Sequence, residues 1–278
     1  MSRQWVSVHA FHHGDQDALL LGGVRPLLAE LRAAGLVEEF FFLRYWDGGP
    51  HLRLRFLPPS TVDGDQLQRL VLDRLRRHLA AHPAPESAAV ADYPRFAPVL
   101  ARREGVTEYL RRPRPNNTVR PVRYVPETER YGDGADLVAV ERHFGESSRI
   151  ALGLIAAGAT RGQRHTTALC AVQLAWLAAG HRPPVSADPD ADARYLADRQ
   201  RLRTLKIRVA EIAEGTSTLP ASGALTTWWR SIGAAPVRRV ADLCAHLLCN
   251  RLGLGYPDER RVRQLAARAV ADDLVGAE

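Results

Sequence analysis

The chain has 278 residues, of which 46% are hydrophobic, and a formal net charge of +7. That length supports a large buried core and lies near the upper limit of a single domain, so we expect one domain over residues 1–278. No stretch approaches the ~20 uncharged apolar residues that span a bilayer, and three cysteines are too few for a disulfide framework. We therefore expect a cytoplasmic protein without membrane association.

The positive charge comes from arginine far more than from the single lysine, Lys206. Guanidinium groups bind anions through paired N–H donors, so the charge favours acidic peptides, carboxylate substrates or RNA as partners. An arginine- and alanine-rich composition is also typical of high-GC coding, which would give the same charge without a function.

The front half of the chain mixes predicted strands and helices. Residues 5–10 alternate apolar and polar side chains, which predicts a strand that opens the fold. Apolar residues at helical spacing predict helices over 15–36 and 65–82; Pro26 moves the start of the first towards Val24. Two β-rich runs on either side of the Asp-Gly-Gly-Pro segment at 47–50 predict a hairpin.

The back half has a helical pattern. Residues 83–121 predict loops with one short helix around 96–100, and a strand around 118–125 precedes a turn at 127–134. The expected helices after that turn cover residues 135–157, 164–179, 191–214, 237–252 and 258–274. The predicted fold class is α+β, with a mixed sheet and hairpin in the N-terminal half and a helical part at roughly 135–278.

The predicted strand 51–56 carries two arginines on one face. Period-2 alternation places His51, Arg53 and Arg55 together and turns the intervening apolar residues to the core. Guanidinium groups about 7 Å apart on a strand can hold carboxylates through paired donors. The alternative is a solvated edge strand, where cations prevent aggregation.

Two further segments carry candidate functional groups. At the turn, Arg130 is a candidate anion ligand, and Glu127 is a group that fixes its geometry or moves a proton; the alternative is a surface turn with a weak local ion pair. On a late helix, Asp242, His246 and Asn250 share a face, so that Asp and Asn can hold the imidazole in one tautomer for proton transfer. The alternative is a hydrogen-bonded core histidine.

Other chemistry has weaker support in the sequence. The histidines at 9, 12 and 13 lack a cysteine partner, so we expect no metal. Cys244 and Cys249 lie in an apolar helix, where packing is the better interpretation than nucleophilic attack. Trp228-Trp229 fits the core better than a peptide groove. There is no phosphate-binding glycine motif and we expect no cofactor.

Three separated segments of the sequence together resemble a known family. They read FFFLRYWDGGPHLRLRF, PETERYGDG followed by VERHFGESS, and AHLLCNRLG. In this order they are similar to the C-terminal elimination domain of lantibiotic dehydratases, also called the thiopeptide-type bacteriocin biosynthesis domain. The resemblance covers the chain from Trp5 to the last helix. It departs at Asp133, Ser147 and Leu247, where the family commonly has Gly, Asp and Met.

The resemblance implies a lyase of ribosomal peptide antibiotic biosynthesis. A partner first esterifies Ser or Thr of a precursor peptide with glutamate from glutamyl-tRNA, and this domain then eliminates glutamate to leave dehydroalanine or dehydrobutyrine. The implied catalytic residues are His246, Arg55 and Arg130. The implied substrate-binding residues are Arg53, His51, Glu127, Tyr131 and Asn250.

The implied partners are the precursor peptide, with its leader and glutamylated core, and a separate glutamyl-tRNA-dependent glutamylation protein. The sequence leaves open whether the protein forms a homodimer. One alternative function is a thiopeptide pyridine synthase, which joins two dehydroalanines by a formal cycloaddition and expels the leader peptide. Another is a non-catalytic module that binds an acidic leader peptide, for example by strand addition.

Overall fold

The computed structural model describes residues 4–85, 88–181, 185, 188–218, 220 and 223–272. The chain forms two compact units, Met1–Pro126 and Glu127–Glu278. Among the helices in the described residues, none has both the length and the apolar character needed to cross a membrane.

Unit 1 combines a four-stranded sheet with helices. Its elements in chain order are β1 (Val6–Phe11), α1 (Gln16–Leu19), a π-helical segment (Leu20–Val24), α2 (Arg25–Ala33), β2 (Glu39–Tyr45), β3 (His51–Leu57), α3 (Gly64–Ala81), α4 (Ala88–Ala91), α5 (Tyr93–Glu104) and β4 (Thr118–Pro121). The predicted opening strand, hairpin and second helix are confirmed.

The sheet is antiparallel with the order β2-β3-β1-β4. Its apolar face carries alternate residues of the strands, including Val8, Leu54 and Phe42, which are 0% exposed. Helix α3 packs against β1 and β4. The opposite face carries the residues at the odd positions of β1 and β3, and it therefore presents His51, Arg53 and Arg55.

The first helical region begins at the start of the predicted range 15–36. The prediction of a start near Val24 is wrong: the helical run begins at Gln16, where Asp15 caps it by accepting from the Asp17 amide. Pro26 lies in the first turn of α2, directly after the π-helical segment. The wider π turn lets the chain continue through a residue that lacks an N–H donor. Gly35 ends the helix with a positive φ of 66°, as expected.

The second half of unit 1 is more helical than its composition indicates. The short helix predicted around 96–100 extends over Tyr93–Glu104 and tolerates Pro98 inside it. Strand β4 ends at Pro121, so the prediction of a strand to residue 125 is too long. Beyond Pro121 a single further contact, from the Val122 N–H to the Ser7 carbonyl at 3.0 Å, joins this segment to β1.

Unit 2 is helical throughout its described part. Its helices are α6 (Thr128–Tyr131), α7 (Gly134–Ala156), α8 (Arg161–Ala179), α9 (Pro189–Ala197), α10 (Arg199–Glu214), α11 (Ala224–Ile232), α12 (Ala235–Arg239), α13 (Ala241–Arg251) and α14 (Tyr256–Ala271). Helix α8 packs against α10, α11, α13 and α14 and forms the centre of this unit. A sheet in the N-terminal half of the chain and helices in the C-terminal half confirm the α+β prediction.

Several helix predictions in unit 2 need correction. The predicted turn at 127–134 contains the short helix α6. The helices expected over 191–214 and 237–252 are each divided in two, at Asp198 and Val240, whose φ angles of −109° and −113° leave helical geometry. Helix α11 was not predicted. The expected end of the last helix at residue 274 lies outside the described residues.

Candidate functional site

The predicted cationic strand is β3, and it lies in the interior of the sheet. The edge-strand alternative is wrong, because β3 pairs with β1 on one side and β2 on the other. His51 is 1% exposed and Arg55 is 8% exposed. We call His9, Tyr45, His51, Arg53 and Arg55 the cationic sheet face. Protection of an exposed edge against aggregation therefore does not explain why this interior strand carries buried arginine.

The two imidazoles of the cationic sheet face are held neutral. The rings of His9 and His51 stack with centroids 4.8 Å apart. Burial, together with the neighbouring His51 and the two arginines, lowers the pKa of His9 to about 2. Burial likewise lowers the pKa of His51 to about 3, although a hydrogen bond with the Gly49 carbonyl opposes the shift. Positive charge on this face therefore belongs to arginine.

Arg55 is a buried cation without a carboxylate partner among the described residues. Its Nη1 donates to the carbonyl of Leu54 at 3.2 Å, and its Nη2 lies 3.4 Å from His9 Nε2. Burial lowers its pKa to about 10. Beside it, the guanidinium carbon of Arg53 lies 3.3 Å from the centroid of the Tyr45 ring. A buried charge that the protein does not neutralise is costly, and such groups cluster at functional sites.

The turn residues lie at the start of unit 2. Arg130 donates to the Glu127 carboxylate at 2.9 Å, and both side chains are more than half exposed. This matches the alternative of a surface turn with a local ion pair, which contributes little to stability. Tyr131 is buried and its ring meets Phe144 of α7 edge-on at 5.1 Å. Burial raises the pKa of Tyr131 to about 12.

His246 lies on α13 with an exposed imidazole, so the core-histidine alternative is wrong. Its Nδ1 lies 2.7 Å from Oε2 of Glu259 on α14, and the side chain is 48% exposed. Glu259 is 7% exposed. A half-exposed imidazole on a buried carboxylate can exchange protons with a bound molecule while its ring stays oriented.

Asp242, one of the two residues expected to orient His246, has other partners. Asp242 Oδ1 accepts from Arg263 Nη1 at 2.6 Å and from Trp176 Nε1 at 3.0 Å. Asn250 lies one helical turn beyond His246 and is partly buried. The expectation that Asp242 contacts the imidazole is therefore wrong; Glu259 makes that contact.

Some residues of the family-like segments serve packing and not chemistry. Arg251 is 0% exposed and donates from Nε to Ser148 Oγ at 3.0 Å and from Nη1 to Ser147 Oγ at 3.4 Å. Its guanidinium carbon lies 5.3 Å from the Phe144 ring centroid. These contacts join α7 to α13, so the segments VERHFGESS and AHLLCNRLG are linked through Arg251.

The sequence interpretation missed two groups. His9 was assigned only to a weak metal hypothesis, although its alternation with Ser7 on the first strand places it on the same face as the arginines. Glu259 carried no signal, because it lies 13 residues after His246 and on another helix. Helices α13 and α14 both pack against α8, and this arrangement brings the two side chains together.

The cysteines and Trp228, which had weaker support as functional residues, are buried in the core. The three cysteines are buried, and burial raises the pKa of each thiol to about 12. Trp228 is 0% exposed, as the core interpretation predicts. Within the described ranges, no three His, Cys, Asp or Glu side chains are grouped so that they could hold a metal ion.

Solved structures with this fold include proteins of peptide antibiotic biosynthesis. The pyridine synthase TbtD from thiomuracin biosynthesis matches with a TM-score of 0.73 and 23% identity over 99% of this chain and 100% of that chain. The tRNA-dependent lantibiotic dehydratase MibB from Microbispora sp. 107891 matches with a TM-score of 0.62 and 22% identity, over 98% of this chain and 28% of MibB. TsrL matches with a TM-score of 0.60 and 20% identity, over 99% of this chain and 96% of TsrL.

Sequence comparison gives the family. No curated protein matches the chain significantly. The family described as "Lantibiotic biosynthesis dehydratase C-term" matches residues 5–270, which is nearly the whole chain and includes both units. The chain therefore belongs to the lantibiotic dehydratase C-terminal domain family.

Proposed function

We propose that the chain is a lyase that eliminates glutamate from glutamylated Ser or Thr residues of a ribosomally made precursor peptide. One observation carries the proposal: the cationic sheet face buries Arg55 without a carboxylate partner among the described residues. A glutamyl group supplies the missing negative charge. The family, whose sequence model spans residues 5–270, supports a role in the biosynthesis of modified peptides.

The reaction requires three kinds of group. A base takes the proton from Cα, and the electron pair of the broken C–H bond forms the Cα=Cβ bond. The Cβ–O bond breaks, and glutamate leaves as a carboxylate. A peptide Cα proton is weakly acidic, so charge on the adjacent carbonyl and on the leaving oxygen needs stabilisation. We assign proton transfer to His246 and stabilisation of negative charge to Arg55 and Arg130.

The remaining residues are assigned to binding of the glutamyl group. Arg53 contributes a second fixed cation beside Arg55, and neutral His51 shapes the surface without adding charge. Glu127 orients the exposed Arg130 through their ion pair. Tyr131 and Asn250 complete the proposed binding residues. The glutamylated peptide must come from a separate glutamyl-tRNA-dependent activity.

A synthetic substrate tests this proposal. The purified chain is incubated with a peptide carrying one chemically glutamylated Ser, and the product mass is followed. We expect loss of glutamic acid and a dehydroalanine that adds a thiol, with no reaction of the same peptide bearing unmodified Ser. A glutamylated peptide that stays intact with the full precursor leader attached would contradict the proposal.

A second candidate is a pyridine synthase. It is favoured by the match to TbtD, which covers the whole length of both chains at a TM-score of 0.73. That reaction joins two dehydroalanines and has no glutamate to hold, so the cationic sheet face has no evident role in it. A leader-bearing peptide with two dehydroalanines separates the two functions: release of the leader peptide and water supports the synthase.

A further inference from the structure

A chain of five hydrogen-bonded side chains in unit 2 ends at His246. Glu259 accepts from Arg263 Nε at 2.8 Å through Oε1 and contacts His246 Nδ1 at 2.7 Å through Oε2. Arg263 continues to Asp242, which also accepts from Trp176. Each oxygen of Glu259 therefore has its own partner, and the carboxylate has one orientation.

The charge state of Glu259 decides how the imidazole is bound. Burial acts to raise its pKa, but the hydrogen bonds and charges of His246 and Arg263 outweigh burial, and the pKa lies below its usual value. The carboxylate is therefore ionised at neutral pH and has only acceptor atoms. Because it cannot donate, His246 Nδ1 must be the donor.

We infer that Glu259 is a positioning residue that fixes the Nδ1–H tautomer of His246, so that Nε2 is the atom that exchanges a proton with the substrate. Among the described residues, none makes a hydrogen bond to Nε2. This inference rests on the proposed function only for the identity of the substrate. Which nitrogen reacts follows from unit 2 alone.

The proton balance follows from this geometry. Nε2 accepts the proton from Cα while Nδ1 keeps its own, and the imidazole becomes an imidazolium. Glu259 stays ionised and stabilises that positive charge at 2.7 Å. Arg263 keeps Glu259 from turning towards another donor. Asp242 acts one step further away, by holding Arg263.

Nitrogen NMR of the wild-type protein tests the tautomer directly. With ¹⁵N-labelled histidine and the H246Q variant for assignment, spectra at a pH where the imidazole is neutral should show His246 protonated at Nδ1 and bare at Nε2. Free histidine prefers the other tautomer. A wild-type spectrum with the proton on Nε2 would overturn the inference without any variant.

Two substitutions on α14 separate positioning from folding. Glu259→Ala should abolish the Nδ1–H preference and lower kcat for the glutamylated peptide on the order of 10²-fold with little change in KM, since Glu259 does not contact substrate. Asp258→Asn is the matched control: it removes the neighbouring buried carboxylate, which pairs with Arg161 and His165. This control should leave the tautomer and kcat at their wild-type values.

The outcomes distinguish the inference from the proposed function. A Glu259→Ala protein with the wild-type tautomer and kcat would overturn the inference, as would an Asp258→Asn protein with the same losses as Glu259→Ala. Circular dichroism and thermal melting show whether each variant is folded. Nδ1–H in the wild type together with an unreacted glutamylated peptide would instead reject the proposed function and leave the tautomer assignment intact.

Discussion

The stacked imidazoles of the sheet face in unit 1 and the His246 imidazole in unit 2 occupy opposite environments. On the cationic sheet face of unit 1, His9 and His51 stack beside arginines, and burial keeps both neutral. In unit 2, His246 is half-exposed and contacts the ionised Glu259. The first environment disfavours a charged imidazole, and the second places an imidazole against a carboxylate acceptor. A sheet face with fixed arginine charge suits binding of an anion, and the α13 histidine suits proton transfer.

The largest expected effect comes from removing the exchangeable imidazole. His246→Gln keeps a polar side chain of similar size but cannot shuttle a proton, so kcat for the glutamylated peptide should fall about 10²- to 10⁴-fold. His181→Ala, at an exposed histidine of unit 2, serves as the control. Steady-state kinetics measures both. An H246Q protein with near wild-type kcat would show that His246 does not transfer the proton.

The next effect separates binding from stability on the sheet face. Arg55→Met removes a buried cation but keeps a long apolar stem, so the rate should fall on the order of 10²-fold while the free energy of unfolding stays unchanged or rises. Arg120→Met, at an exposed arginine on β4, should change neither rate nor stability. Kinetics and urea unfolding measure the two quantities. Loss of stability in R55M without loss of rate would assign Arg55 to folding.

The last effect concerns the dependence of stability on pH. The unfolded state protonates His9 and His51 near pH 6.5, whereas the folded state does so only near pH 2 and pH 3. Between these values the unfolded state binds more protons, so stability falls as pH falls from about 6.5, by up to roughly 1.4 kcal/mol per pH unit for each histidine.

Urea unfolding at pH 7, 5 and 4 measures this dependence. Replacing the stacked ring by an uncharged one, in His51→Phe, should flatten the loss of stability below pH 6.5. The His82→Phe control, at an exposed histidine of unit 1, should not. Identical pH dependence in wild type and H51F would show that His51 is not held neutral by the fold.

The sequence predicted features that depend on local pattern. Alternation placed Arg53 and Arg55 on one face, and the Gly48-Gly49 turn identified the hairpin, because period and turn chemistry act over a few residues. The interior position of β3 was not predictable in this way, since it depends on the pairing of β3 with β1, which lies far away in the chain. The π-helical segment before Pro26 also has no simple period.

The candidate site shows the same limit. His246 was identified from its helix and from the resemblance, but its partner Glu259 comes from a different helix. Asp242, which lies one turn away, satisfies the spacing rule and yet pairs with Arg263 and Trp176. Helical spacing shows which residues share a face; it does not show which neighbouring helix supplies a nearer partner.

The most direct measurement uses a glutamylated Ser peptide with deuterium at the serine Cα. The account predicts that glutamate is released, that deuterium passes to solvent, and that the product peptide contains dehydroalanine. Release of glutamate with deuterium retained and serine regenerated would mean ester hydrolysis. That result would contradict elimination by this protein.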